Sequence, residues 1–361
     1  MQVSRGEQKC ESGMVGFLLV LLLMSAEGTA MRVPINVKPG GILLMDHLNI
    51  NHEAGRHDLV KEFYFDTLGL AIDPRKEENI AKQKNGLWAN AGITQFHLAE
   101  GKTAQVLDGE ITIAYPSGAF QHIPTRLELA SSGILKGSKY DFQRIGSDEY
   151  AVTDMWGSKF RLRADDAAVD DRGVQPGPLS RGSLIQDLSF NVPYDASLKG
   201  IARYYEHVFA VPIFELNDKE LKIIMSPFQT LTFKRGTSTE HDHSELEIDE
   251  TTGEVIANHG AHISIYVNDL QACYERANAI GSIFVNKRFK RQAYTLDEAI
   301  DQCMFRVIDI VDPLDKESQT IVRLEHEVRS IVNKDGTKYK SCPLYQDVVD
   351  LIMNPPPFPV M

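Results

Sequence analysis

Four side chains of metal-binding type open four strands of one design. His47 stands in DHLNIN (46–51), Glu110 in GEITIAY (109–115), Asp187 in QDLSFNV (186–192) and His262 in AHISIYV (261–267). Imidazole and carboxylate groups hold divalent cations and move protons. The alternate positions are apolar: Leu48 and Ile50, Ile111 and Ile113, Leu188 and Phe190, Ile263 and Ile265. Successive side chains of a strand point to opposite faces. One face therefore packs on a core, and the other carries a row of polar groups able to line a pocket. The same pattern written four times marks an internal repeat.

Each opening strand is followed by a helix and further strands. The first helix is expected over 57–68 (HDLVKEFYFDTL), with Leu59, Phe63 and Leu68 on one side and Gly69 as its stop. The second, in PSGAFQHIPTRLELASSG, is shorter, and the third is SLKGIARYYEHVFAV. The fourth, NDLQACYERANAIG, ends at Gly281. Thr295 with Glu298 has the form of a capping box for an extra short helix. Closing strands follow in GITQFHLAEG, GSKFRLRAD, QTLTFKRG and QTIVRLEHEVRS. The pattern gives an α+β chain of tandem βαβββ modules paired into two curved mixed-sheet domains, 41–165 and 184–330. Residues 166–183, rich in Asp, Gly and Pro, read as the linker. Residues 236–259 read as an acidic surface insertion, and 331–361, ending in NPPPFPVM, as a C-terminal tail.

The 361 residues are 43% hydrophobic and 24% charged, an ordinary globular balance, and the formal net charge is −12. An acidic surface argues against nucleic acid and anionic membranes as partners. The chain contains no Gly-rich phosphate loop, nucleophile elbow or Cys-x-x-Cys pair, which sets aside nucleotide-dependent enzymes, serine hydrolases and simple thiol redox enzymes. Residues 14–24 (MVGFLLVLLLM) precede small residues ending at Ala30. A span of about ten apolar residues resembles a cleaved secretory or targeting signal over 1–30, too short for a membrane helix of about 20, the alternatives being an uncleaved anchor or a start at Met31. After its removal no stable membrane span is expected. Three cysteines then remain, Cys273, Cys303 and Cys342, which do not form a disulfide framework. Secretion, delivery to a reducing organelle such as a plastid, and a cytoplasmic protein started at Met31 are the destinations left open.

The modules resemble the vicinal oxygen chelate superfamily, which includes glyoxalase I, bleomycin-resistance proteins, fosfomycin-resistance enzymes and extradiol dioxygenases. The resemblance covers about residues 41–330. It rests on DHLNIN…FYFDTLGL, GITQFHLAEG…GEITIAYP and TDMWGSKFRL in the first half. In the second half it rests on DLSFNVP…YYEHVFAVP, GAHISIYVNDL…RANAIG and IVDP…VRLEHEVRS. The helix signature FY-x-x-x-LG and the strand ending in FHL carry the fold and no particular reaction, because one fold hosts many activities. The resemblance implies metal ligands on the first and last strands of each module. Carried over, these positions are His47, His97, Glu110 and Arg161 in the first domain. In the second they are Asp187, Thr232, His262 and Arg323, with Glu325 two residues on. The four-ligand pattern of glyoxalase I has an acid on the last strand, where Arg161 and Arg323 stand here. In the dioxygenase layout, Asp187 replaces a histidine.

Two sets of candidate ligands follow, His47, His97 and Glu110 in the first domain and Asp187, His262 and Glu325 in the second. Such a metal (Fe, Mn, Zn or Ni) would polarise paired oxygens of a small organic substrate. Arg161 would bind the substrate's anionic end and Glu110 would share in catalysis. The competing reading of the first set is a metal-free cleft in which Arg161 pairs with Glu110. For the second it is a vestigial cleft with Arg323 paired to Asp187 or Glu325. The chain is then a metal-dependent lyase or dioxygenase, a metal-free ligand binder of bleomycin-resistance type, or an assembly module.

Overall fold

The computed structural model describes residues 41–166, 181–236, 243–317 and 319–354. The segment 1–30, the leader that follows it, most of the linker and the Pro-rich end lie outside the described residues, as does part of the acidic insertion. Four βαβββ modules are present, and they form two mixed eight-stranded sheets. This is the α+β architecture that the repeats imply.

The partnership between modules differs from the expected one. Module one (42–101) shares a sheet with module four (262–330), and module two (109–164) with module three (184–235). The opening strands make the joints. Ile42–Glu53 runs antiparallel to His262–Val267, and Gly109–Tyr115 antiparallel to Leu184–Val192. Within each module the opening strand lies parallel to the closing one. The chain thus leaves the first sheet after module one, builds the whole second sheet, and returns. Alternation is identical in all four opening strands, so it sets which face is polar but not which edge meets which.

The apolar faces of both sheets close on the helices, and one continuous core holds residues of all four modules. Phe63 and Tyr64 of the first helical segment illustrate this. Phe63 packs edge-to-face on Phe160 of the second sheet at 5.1 Å, and Tyr64 on Phe96 of the first at 5.4 Å. That segment runs as a short α-helix, His57–Val60, which widens into a π-helical turn, Lys61–Thr67. Gly69, at φ +70°, ends it, a conformation open to glycine. Leu198–Phe209 is capped by Ser197 and Leu270–Ala279 by Asp269, while the box of Thr295 and Glu298 starts Leu296–Gln302 as expected.

Polar stitches join the sheets where the opening strands meet. The buried Gln229 amide accepts from Met45 N and donates to the carbonyls of Met45 and Ile185. Ile185 N donates to Thr94 Oγ1. Beyond the last strand, Tyr339, Cys342, Leu344 and Val349 pack on Leu43, Leu44, Ala114 and Leu184, and a helix forms over Gln346–Met353. The C-terminal segment is therefore built into the body as far as residue 354.

Candidate metal centre

The joint of the first sheet gathers the ionisable residues. A bulge in Ile42–Glu53 between Met45 and His47 shifts the register against the partner strand. Bulges re-aim side chains, and here Asp46 and His47 are both buried next to one another. Beyond the bulge His47 stands opposite Ser264, and Asn49 opposite His262. Glu327 lies beside Ser264 on one flank, and His97 beside Asn49 on the other. These pairings put His47, His97, His262 and Glu327 on one sheet face.

Three of them converge. One ligand atom each from His47, His262 and Glu327 lies within 4.8 Å of the others, and all three residues are buried. Two imidazoles and one carboxylate suit a divalent transition metal. His47 Nδ1 lies 2.7 Å from Asp46 Oδ2, so the nitrogen donates to the carboxylate. Its Nε2 keeps a lone pair and, though buried, has no hydrogen-bond partner among the described residues. A carboxylate behind an imidazole sets this tautomer in metal sites. Burial first, then the Arg329 charge, holds the His47 imidazole well below its usual range. Burial followed by Arg306 does the same to His262. Both are neutral at pH 7, the form that binds a cation.

The anionic ligand is held by two guanidiniums. Arg306 and Arg329 each donate to Glu327, and Arg306 Nη1 also lies 2.5 Å from Glu325 Oε1. Burial pushes the Glu327 carboxyl up, but Arg329 and Arg306 outweigh it and leave it well below the carboxylate range. Among the described residues, three carboxylates (Asp46, Glu325 and Glu327) thus face two guanidiniums, an excess of formal negative charge that a cation would offset. Phe289 closes the outer side, edge-on to His262 at 5.6 Å and under Arg306 at 4.0 Å.

The structure divides the residues expected at metal sites. His47 and His262 come together although they were assigned to separate sets. His97 is a neighbour outside the convergent group. It stacks on His47 at 3.6 Å and on Trp88 at 4.7 Å, with Nε2 against Gln95 Oε1. Glu325 sits in the cluster, but Arg306, Asn258 and Asn286 occupy its carboxylate. Glu110 and Arg161 lie in the other sheet, because module two does not pair with module one. They bond to each other at 2.8 and 3.3 Å, the competing reading of that set. Asp187 also lies in the second sheet, where Thr230 and Thr232 donate to it.

Sequence reasoning missed Glu327. It took Arg323 as the closing position of module four, yet Arg323 pairs with Asp309 at the sheet's outer end. Register supplies the correction. The closing position stands beside the residue two after the opener, as His97 does beside Asn49 and Arg161 beside Thr112. In module four that neighbour of Ser264 is Glu327. The alternation Glu325, Glu327 in RLEHEVRS was the available signal.

No family model matches the sequence, and neither does any curated protein. Among solved structures the chain is similar to a Bacillus subtilis protein with a provisional dioxygenase name (13% identity, 81% of this chain and 86% of that one, TM-score 0.48). It is also similar to glyoxalase I from Zea mays (14% identity, 79% and 92%, TM-score 0.44). A third likeness is to the CppA protein from Streptococcus pneumoniae (12% identity, 81% and 100%, TM-score 0.39).

Proposed function

We propose that this protein is a metal-dependent lyase or dioxygenase whose centre is His47, His262 and Glu327, acting on a small oxygen-rich organic substrate. The observation that carries the reading is the buried Nε2 of His47, without a hydrogen-bond partner among the described residues and oriented by Asp46 toward a second imidazole and an ionised carboxylate. A divalent ion bound there supplies Lewis acidity to paired substrate oxygens. The chain's own residues do the rest. Asp46 keeps the His47 proton on Nδ1. Arg306 and Arg329 hold Glu327 ionised and offer guanidinium donors to an anionic substrate group. Phe289 packs its ring on Arg306 beside the centre. The apolar run at 14–24 supports delivery of a precursor that loses residues 1–30, which N-terminal sequencing of the mature protein checks.

Elemental analysis of protein purified without affinity metals is the test. Near-stoichiometric Fe, Mn, Zn or Ni is expected, lost in His47→Ala and Glu327→Gln and kept in Glu110→Gln. Metal content unchanged by the first two variants would sink the proposed centre. A second reading rests on the guanidiniums, which already supply positive charge to Glu327. A wild-type protein that takes up none of these ions would favour a metal-free ligand binder.

A further inference from the structure

A cavity of about 790 Å³ lies in the second sheet, away from the candidate metal centre. That is the size of a site for a small organic molecule, typically about 300–1,000 Å³. It contains none of the histidines, so its chemistry has to come from other charges. Most of those are paired within the protein. Arg161 is held between Glu110 and Glu149, Arg163 faces Asp165 at 3.8 Å, and Lys222 faces Glu220 at 3.7 Å.

Two lining charges differ. Asp187, half-buried on the floor, is hydrogen-bonded among the described residues by hydroxyls, with the Lys234 and Lys222 charges acting on it across the cavity without an ion-pair contact. Thr230 and Thr232 both donate to Oδ1, at 2.6 and 2.7 Å, and Oδ2 takes no hydrogen bond from the described residues. Lys234 makes no ion pair among the described residues. Thr230, Thr232 and Lys234 alternate along Gln229–Arg235 and so share the cavity face. Asp187 stands in register with Thr230, and Lys234 lies two alternate positions further on, about 13 Å along the strand backbone, a gap that the Asp187 bond to Thr232 and the long lysine side chain narrow. Phe214, 65% exposed, and Phe228 supply an apolar wall.

We propose that this cavity is a second, metal-free binding site for a small organic zwitterion of amino-acid type. The ligand's ammonium group meets Asp187, its carboxylate meets Lys234, and its apolar substituent lies against Phe214 and Phe228. Charge spacing explains the selectivity. A ligand with one charge leaves either the acid or the base without a partner in a partly desolvated cleft, and such a group costs affinity.

Calorimetric titration of the full chain tests this with L-phenylalanine and phenylalanylphenylalanine, set against phenethylamine and 3-phenylpropanoate. At least one zwitterion should bind, each single-charge analogue at least tenfold more weakly. Asp187→Asn and Lys234→Met should each weaken the zwitterion at least tenfold. His47→Ala should not change its binding, and Asp187→Asn should keep the wild-type metal content, so this site and the metal centre fail separately. Lys234→Met, a half-buried position that keeps an apolar stem, guards against a folding defect in the Asp187 variant. The proposal is overturned if neither zwitterion binds, if an analogue binds as well, if Lys234→Met binds as tightly as wild type, or if His47→Ala abolishes binding.

Discussion

Asp46 matters through what it does to one nitrogen of its neighbour. The 2.7 Å contact places the His47 proton on Nδ1 and leaves Nε2 for a metal. Asp46→Asn removes the charge but keeps the shape, and an amide can present either donor or acceptor to the ring. Metal affinity should fall by about 10–100-fold, the usual effect of losing such a partner. Competition with a metal chelator would measure it, and affinity within twofold of wild type would show that the carboxylate does not set the tautomer. His47 and His262 were legible in the sequence because a lone polar residue opens each alternating strand. Glu327 was not, since four ionisable residues of its strand (Arg323, Glu325, Glu327 and Arg329) share one face and only the register against Ser264 tells them apart.

At the scale of elements, the sheets depend on groups that satisfy each other's backbones. Gln229 serves three backbone groups from two strands in a site with almost no water. Gln229→Leu would leave them unmet, costing roughly 2–4 kcal/mol. Denaturant unfolding should show a midpoint shift of that size, and an unchanged midpoint would mean the joint repacks freely. Strands, helices and caps could be read from alternation, from Gly69 and Gly281, and from Thr295 with Glu298. The choice of partner edges could not. It follows from how four similar strands settle against one another, and that misplacement moved Glu110 and Arg161 away from His47.

The whole molecule buries several neutral imidazoles, which ties its stability to pH. His326, enclosed and hydrogen-bonded to Tyr205, has its pKa pushed down to about 4 by burial, against the Leu324 carbonyl, which raises it. In an unfolded chain it titrates near 6.5. Between those values the unfolded state binds the proton and the folded state does not, so acid favours unfolding. The contribution is complete above about pH 6.5 and is lost as pH falls toward about 4. Thermal melts across that window should show a falling midpoint in wild type and a shallower fall in His326→Gln. Identical slopes would assign the acid sensitivity to other groups.

The route of the chain, out of the first sheet and back only at the end, has a consequence for synthesis. His47 leaves the ribosome long before His262, and the strand carrying it must wait while modules two and three assemble. During that wait Ile42–Glu53, apolar over its first four residues, lacks its antiparallel neighbour. An unpaired strand edge recruits other chains, and contacts so distant in sequence form slowly. The nascent protein is therefore most open to misassembly just before module four emerges, and chaperone dependence should concentrate in that interval.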